Sequence, residues 1–181
     1  PVRKVTRKGE GAALLKEPPL VPFAEVAAHS QPARSVGGDL YHTMLRGDGS
    51  LGVALGDVSG KGVSAALIMA MMQGLLEMLN DIGRPLEEFP LQINRTLQQY
   101  NPGNRFLTLA AGLLTAQGRF ALVNAGHCPV AIVRAAGGVE LVSSHGPVLG
   151  LLPIACWGSA TVQLRRGDVV VLYSDGIAES F

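Results

Sequence analysis

The sequence predicts an antiparallel α+β layered fold, and three observations predict it. Short apolar runs of β character are separated by Gly-containing turns; two helical patterns sit together between them; and hairpin-like turns such as Ala116-Gln117-Gly118 and Ala135-Ala136-Gly137-Gly138 join the later runs. Helices grouped away from a meander of strands argue against the strand-helix alternation of a doubly wound parallel sheet. The 181 residues are 48% apolar and 16% charged, too apolar and too weakly charged for a disordered segment. With 15 Lys and Arg against 14 Asp and Glu the formal charge is +1, so no net field recruits nucleic acid or an anionic membrane. A partner is therefore recognised locally, and the length fits one domain.

In order along the chain, residues 1–22 read as a lead-in or linker: Arg3, Lys4, Arg7, Lys8 and Lys16 precede Pro18, Pro19 and Pro22. Residues 23–181 form the domain. Strands are expected over 24–29, 40–46, 51–55, 108–115, 119–124, 130–134, 160–164 and 169–174. Residues 63–80 form a helical stretch apolar almost all round. It is interrupted by Ser64, Gln73, Gly74 and Glu77 and falls short of the ~20 apolar residues a bilayer needs, so it reads as a buried helix. The second helix is amphipathic, with Leu86, Phe89, Ile93, Leu97 and Tyr100 at helical spacing and Glu87, Glu88, Gln92 and Gln98 on other faces. Cys128 and Cys156 lack both zinc-site spacing and disulfide density, which suits a reduced, cytoplasmic setting, and both are expected to pack as small hydrophobes. Starting at Pro1 without Met and stopping at Phe181 just after a motif, the chain reads as an excised piece.

The acidic residues are the most informative. If residues 40–46 and 51–55 form a hairpin around Gly47-Asp48-Gly49, then Leu45 faces Leu51 and, counting outward, Asp39 faces Asp57. Directly opposed residues have Cβ atoms ~5 Å apart, and two carboxylates at that distance repel by about 3 kcal/mol at an effective dielectric near 20. An oxygen-seeking divalent cation such as Mg²⁺ or Mn²⁺ would compensate. Asp175, delivered by the apolar run Val169-Val170-Val171-Leu172-Tyr173-Ser174 and followed by Gly176, repeats the setting of Asp57. Asp is common in turns, so each acid alone also reads as a turn or capping residue. Three converging do not.

Between the acids lies Gly56-Asp57-Val58-Ser59-Gly60-Lys61-Gly62, opening the first helix. Its glycines let backbone approach a metal or phosphate, and a helix N-terminus favours anions. Gly60 and Lys61 are thus candidate phosphate contacts, although Lys61 equally suits a solvated turn. The spacing does not fit a P-loop; Gly60-Lys61-Gly62-Val63-Ser64-Ala65 does fit G-x-G-x-x-A, but Asp81 follows a helix where dinucleotide binding needs an acid ending a second strand.

Five ordered motifs carry a family resemblance: Val36-Gly37-Gly38-Asp39; Gly56 to Val63 with Ala65-Ala66; Phe106-Leu107-Thr108-Leu109; Asn124-Ala125-Gly126-His127; and Gly167-Asp168 with Tyr173-Ser174-Asp175-Gly176-Ile177-Ala178-Glu179. Together they resemble the SpoIIE-like bacterial branch of the PPM metal-dependent protein serine/threonine phosphatases, from about residue 22 to 181. The resemblance implies an α-β-β-α sandwich of two antiparallel sheets flanked by helices, with a binuclear Mn²⁺ or Mg²⁺ centre at one end. It implies that Asp57 bridges both metals and through them holds the attacking water. The backbone carbonyl of Val58 binds one metal, and Asp39 and Asp175 complete the shells. The reaction implied is direct attack on a phosphoserine or phosphothreonine without a phosphoenzyme.

Two departures stand out. His42 replaces the acid family members commonly carry after Gly-Gly-Asp-x-Tyr, and strand alternation sends it to the face opposite Asp39. The family's last acidic pair and final strand are absent, which leaves one metal site incomplete. His127 reads as a structural hydrogen-bonder in a strand-end turn. The expected protein is an output phosphatase domain of partner-switching or two-component signalling. An upstream sensory or receiver domain and a phosphoprotein substrate such as an anti-sigma-factor antagonist go with it, and neither nucleic acid nor a membrane segment does. A degenerate, non-catalytic scaffold of the same fold is the alternative.

Overall fold

A tight turn starts the first sheet. The backbone N–H of Arg46 donates to the Ser50 carbonyl at 2.9 Å and Gly49 takes a positive φ of 80°. Asp48 Oδ1 accepts from the Ser50 N–H at 2.9 Å and from its hydroxyl at 2.6 Å, which holds the Asp48 carboxyl below its ordinary range. From this turn run β1 (Asp39–Leu45) and β2 (Leu51–Val58), antiparallel, with Leu45 opposite Leu51 and Asp39 opposite Asp57. The computed structural model describes residues 18–28, 39–100 and 105–175, and of Asp39 the backbone alone.

After β2 come α1 (Val63–Asp81), a 3-10 turn over Leu86–Glu88, and α2 (Phe89–Tyr100). Gly83 at positive φ ends α1, its N–H donating to the Asn80 carbonyl at 3.0 Å while that of Arg84 reaches Leu79 at 3.1 Å. Then follow β3 (Leu107–Leu114), β4 (Arg119–Ala125), β5 (Val130–Val133), β6 (Val139–Val142), β7 (Ala160–Gln163) and β8 (Val169–Val171). One sheet has the order β1-β2-β3-β4-β7 and the other β6-β5-β8, every ladder antiparallel.

Period-2 alternation sorts the side chains into two cores. Leu40, Ala54, Val58, Leu107, Leu109, Ala111, Val123 and Ala125 face Ile68, Met72, Leu76 and Leu79 of α1 and Ile93 and Leu97 of α2. Their strand neighbours Val53, Ala110, Leu114, Phe120 and Leu122 pack between the sheets with Val130, Val142, Val170 and Leu172. The two antiparallel sheets of the expected sandwich are present, with the helices on the outer face of the larger one.

Several elements differ from expectation. Residues 24–28 form no strand beyond an isolated bridge between Val21 and Ala24, and residue 29 lies outside the described residues. β6 was not anticipated. β8 ends at Val171, opposite Ala131 of β5, short of the expected residue 174. α1 is not buried on all sides: Val63 and Leu67 are 72% and 67% exposed. It is long and apolar enough by composition to cross a membrane, yet its Ala65, Ile68, Met72, Leu76 and Leu79 stripe is part of the core. Cys156 is exposed, not packed, and Cys128 is half-buried.

A carboxylate ties the small sheet together. Asp168, whose side chain is 3% exposed, accepts from the backbone N–H groups of Ala135 (2.9 Å) and Arg165 (3.0 Å) and from Arg134 Nη1 (2.9 Å). These donors pull its pKa down to about 2. Because that lies below the unfolded value of about 4, the clamp stabilises fully above about pH 4 and is lost as the pH falls towards 2.

Two outcomes follow. Replacing Leu76 by Ala, in the helix stripe facing the sheet, is expected to cost about 3 kcal/mol in urea unfolding. The stability difference between the parent and Asp168→Asn should hold steady from about pH 7 to about pH 5 and shrink between about pH 4 and pH 2, read from urea midpoints across that range.

Candidate metal centre

The end of the sandwich opposite the Gly47-Asp48-Gly49 turn gathers the predicted site. Asp57 is the Cα partner of Asp39 on one side and of Thr108 on the other, so three strands place Asp39, Asp57 and Thr108 in one row. Asp57 is half-buried, while Val58 beside it is buried on the helix side and fixes the peptide that ends β2. Thr108 carries the row further. Its Oγ1 lies 2.8 Å from His127 Nδ1.

His127 follows β4. Its backbone N–H donates to Asn124 Oδ1 at 2.8 Å, and Asn124 Nδ2 donates to the Cys128 carbonyl at 3.0 Å, closing the turn around one buried amide. Burial pushes the His127 pKa down, against the opposing pull of the Tyr173 carbonyl and the Asp175 carboxylate. Burial likewise raises the Cys128 thiol, and the Asp175 charge raises it further. Asp175, exposed just beyond β8, thus lies within electrostatic reach of His127 and Cys128.

The donor chemistry suits a hard cation: carboxylates on adjacent strands, a third from the segment after β8, and a backbone carbonyl at a glycine-rich turn. Among the described residues no three His, Cys, Asp or Glu side chains already stand close enough to enclose an ion. Asp39 and Asp57 are brought opposite each other by the backbone, and Asp175 is brought to the same end.

The glycine-rich turn is pinned by a residue the sequence reading missed. Arg105 Nη1 donates to the Ser59 carbonyl at 2.7 Å, the Ser59 N–H donates to the Phe106 carbonyl at 2.8 Å, and the Phe106 N–H donates to Ser59 Oγ at 2.9 Å. Gly60, at φ 88°, lies against the Arg105 guanidinium so closely that any Cβ would collide with it. Lys61 is exposed. No local pattern flags Arg105, since its partner lies 46 positions earlier. Thr108 could have been found by extending the hairpin register one strand further.

His42 occupies the face opposite Asp57. It is buried, with Nε2 2.9 Å from Glu77 Oε2 of α1. The dinucleotide alternative fails, because α1 leads through α2 to β3, which pairs antiparallel with β2, and no parallel crossover follows Gly60-Lys61-Gly62.

A family model described as Stage II sporulation protein E (SpoIIE) matches residues 47–181. The phosphoserine phosphatase RsbU of Bacillus subtilis is 29% identical over 157 residues, covering 86% of this chain and 47% of RsbU. Among solved structures, that of the RsbU and RsbW domains of Rv1364c from Mycobacterium tuberculosis matches 80% of this chain and 41% of that one, with a TM-score of 0.71 and 27% identity. The PP2C phosphatase domain of SpoIIE from Bacillus subtilis, solved with a fragment of its regulatory domain, matches 78% of this chain and 41% of that one at TM-score 0.67 and 26% identity. The chain spans less than half the length of each of these relatives.

A side chain at position 60 meets both a left-handed backbone and a guanidinium. Gly60→Ala should cost about 1–2 kcal/mol for the backbone term alone. Its cost in an Arg105→Ala background should be smaller than in the parent, a coupling measurable by a double-mutant cycle in urea.

Proposed function

Given that the chain belongs to the SpoIIE family, we propose that it is a metal-dependent protein serine/threonine phosphatase domain acting on a phosphorylated bacterial signalling protein. The observation that carries the reading is the opposition of Asp39 and Asp57 across the β1–β2 ladder. Two like charges on adjacent strands gain from a shared cation and lose without one. The phosphatase activity named for RsbU and the PP2C domain fold of its SpoIIE counterpart support the same chemistry.

Asp39, Asp57 and Asp175, with the Val58 carbonyl, are the residues that would hold a pair of Mg²⁺ or Mn²⁺ ions. Such ions, when bound, supply charge neutralisation for a phosphoryl group and lower the pKa of water. Asp57 holds the central place, since it lies between the other β-sheet members of the row. The turn 59–62 brings backbone N–H groups and the start of α1 to the same end, where a phosphoryl oxygen is favoured. Arg105 keeps that turn in shape through the Ser59 carbonyl. Phosphoserine on an anti-sigma-factor antagonist is the substrate proposed, and a sensory or receiver domain elsewhere in the parent protein is the regulator proposed. Both come from the resemblance, and phosphoserine is also what the RsbU relative is named for.

Purified protein with Mn²⁺ should hydrolyse p-nitrophenyl phosphate and a phosphoserine protein. Asp57→Asn should lower the rate by about two orders of magnitude or more while its circular dichroism stays that of the parent. Equal rates would remove Asp57 from the centre; no Mn²⁺ heat in calorimetry and no turnover in the parent would leave the non-catalytic scaffold as the reading.

A further inference from the structure

Among the described residues, His127 joins the two sheets at the rim. It lies in the turn after β4, it is 7% exposed, and neither strand pairing nor the carboxylate set uses its side chain. On the side of the larger sheet, Nδ1 meets the Thr108 hydroxyl at 2.8 Å, and Thr108 is the strand partner of Asp57. On the side of the smaller sheet lie the Tyr173 carbonyl and the Asp175 carboxylate, close enough to act on the ring. Nε2 is fully enclosed and makes no hydrogen bond of ordinary geometry.

The chemistry of the surroundings fixes the ring's state. Carbonyl and carboxylate oxygens only accept, whereas a hydroxyl can donate, so the groups around the imidazole select the neutral tautomer with Thr108 donating to Nδ1 and the proton on Nε2. A buried N–H without an acceptor costs about 1–3 kcal/mol. The acceptors at hand belong to the segment that carries Asp175.

We propose that His127 is a positioning residue: through Thr108 on one nitrogen and the Tyr173–Asp175 segment on the other, it sets the separation between the carboxylates contributed by the two sheets. The inference rests on the metal-dependent reading above. It assigns His127 no contact with substrate or metal, and no proton transfer. Groups that orient metal-binding side chains typically change metal affinity about 10- to 100-fold when removed.

The test combines two measurements. The first titrates Mn²⁺ calorimetrically into the parent and into Thr108→Val, Thr108→Ser and His127→Ala. Thr108→Val, which keeps the shape and loses the hydroxyl, and His127→Ala should both weaken Mn²⁺ binding about tenfold or more, while Thr108→Ser stays within about threefold of the parent. The metal-free thermal midpoint of Thr108→Val should remain near that of the parent, which keeps the test valid if His127→Ala fails to fold. The second measurement, without any metal, is the ¹⁵N-resolved imidazole spectrum, where His127 should show the Nε2–H tautomer in the parent and a redistribution in Thr108→Val. Parent-like Mn²⁺ affinity in Thr108→Val, a Thr108→Ser loss as large as that of Thr108→Val, or an Nδ1–H tautomer in the parent overturns this inference alone. A parent chain that takes up no Mn²⁺ overturns the metal reading and this inference with it.

Discussion

The register of the first hairpin is the constraint on which the rest depends. A four-residue clasp at Arg46, Asp48, Gly49 and Ser50 decides which residue of β1 faces which of β2, all the way to the far end. A slip of β1 by one position would turn Leu40 and Met44 away from the helices and at the same time part Asp39 from Asp57. Core burial and the electrostatic arrangement are therefore fixed by the same choice. The sequence places a like-charge pair where sheet stability alone would disfavour it, and the hydrophobic face holds the pair in place.

That pairing was legible because it is local and periodic. Strand alternation and a glycine-marked turn were enough to predict that Asp39 opposes Asp57, and the structure has that opposition. The five motifs likewise pointed to a family that the model match bears out. What escaped was decided by distant neighbours. Val139-Glu140-Leu141-Val142 becomes β6 by pairing with one edge of β5, and Leu172 to Ser174 leave the strand although Val130 of β5 stands next in register. Arg105 carries no local mark of its role, which arises only where the fold brings Ser59 to it. α1 misled for a different reason: an apolar composition all round suggested full burial, whereas one stripe suffices to cover the sheet, and Leu67 and Val63 face outward.

The two sheets are not treated alike. The larger carries α1 and α2 on its outer face, with small residues such as Ala54 and Ala111 beneath them. The smaller shows an outer face of Ala131, Val133, Val139, Leu141, Val169 and Val171, side by side in register, and most of these apolar side chains are exposed. Strands apolar on both faces are the pattern of sheets covered on both sides. Beneath that face the Asp168 clamp, with Arg134 and the turn from Arg165, holds β8 to the β5–β6 hairpin, so the delivery of Asp175 to the rim rests on a charged knot at the other end of its strand.

The chain's threading also has a temporal side. Among the described residues β8 follows β7 along the chain, and without it the second sheet is a lone two-stranded hairpin, marginal in water. On a ribosome the opposed acids of β1 and β2 would emerge well before Asp175, which lies 118 positions after Asp57. A nascent polypeptide would therefore carry that like-charge pair through a long stretch of synthesis before Asp175 is made.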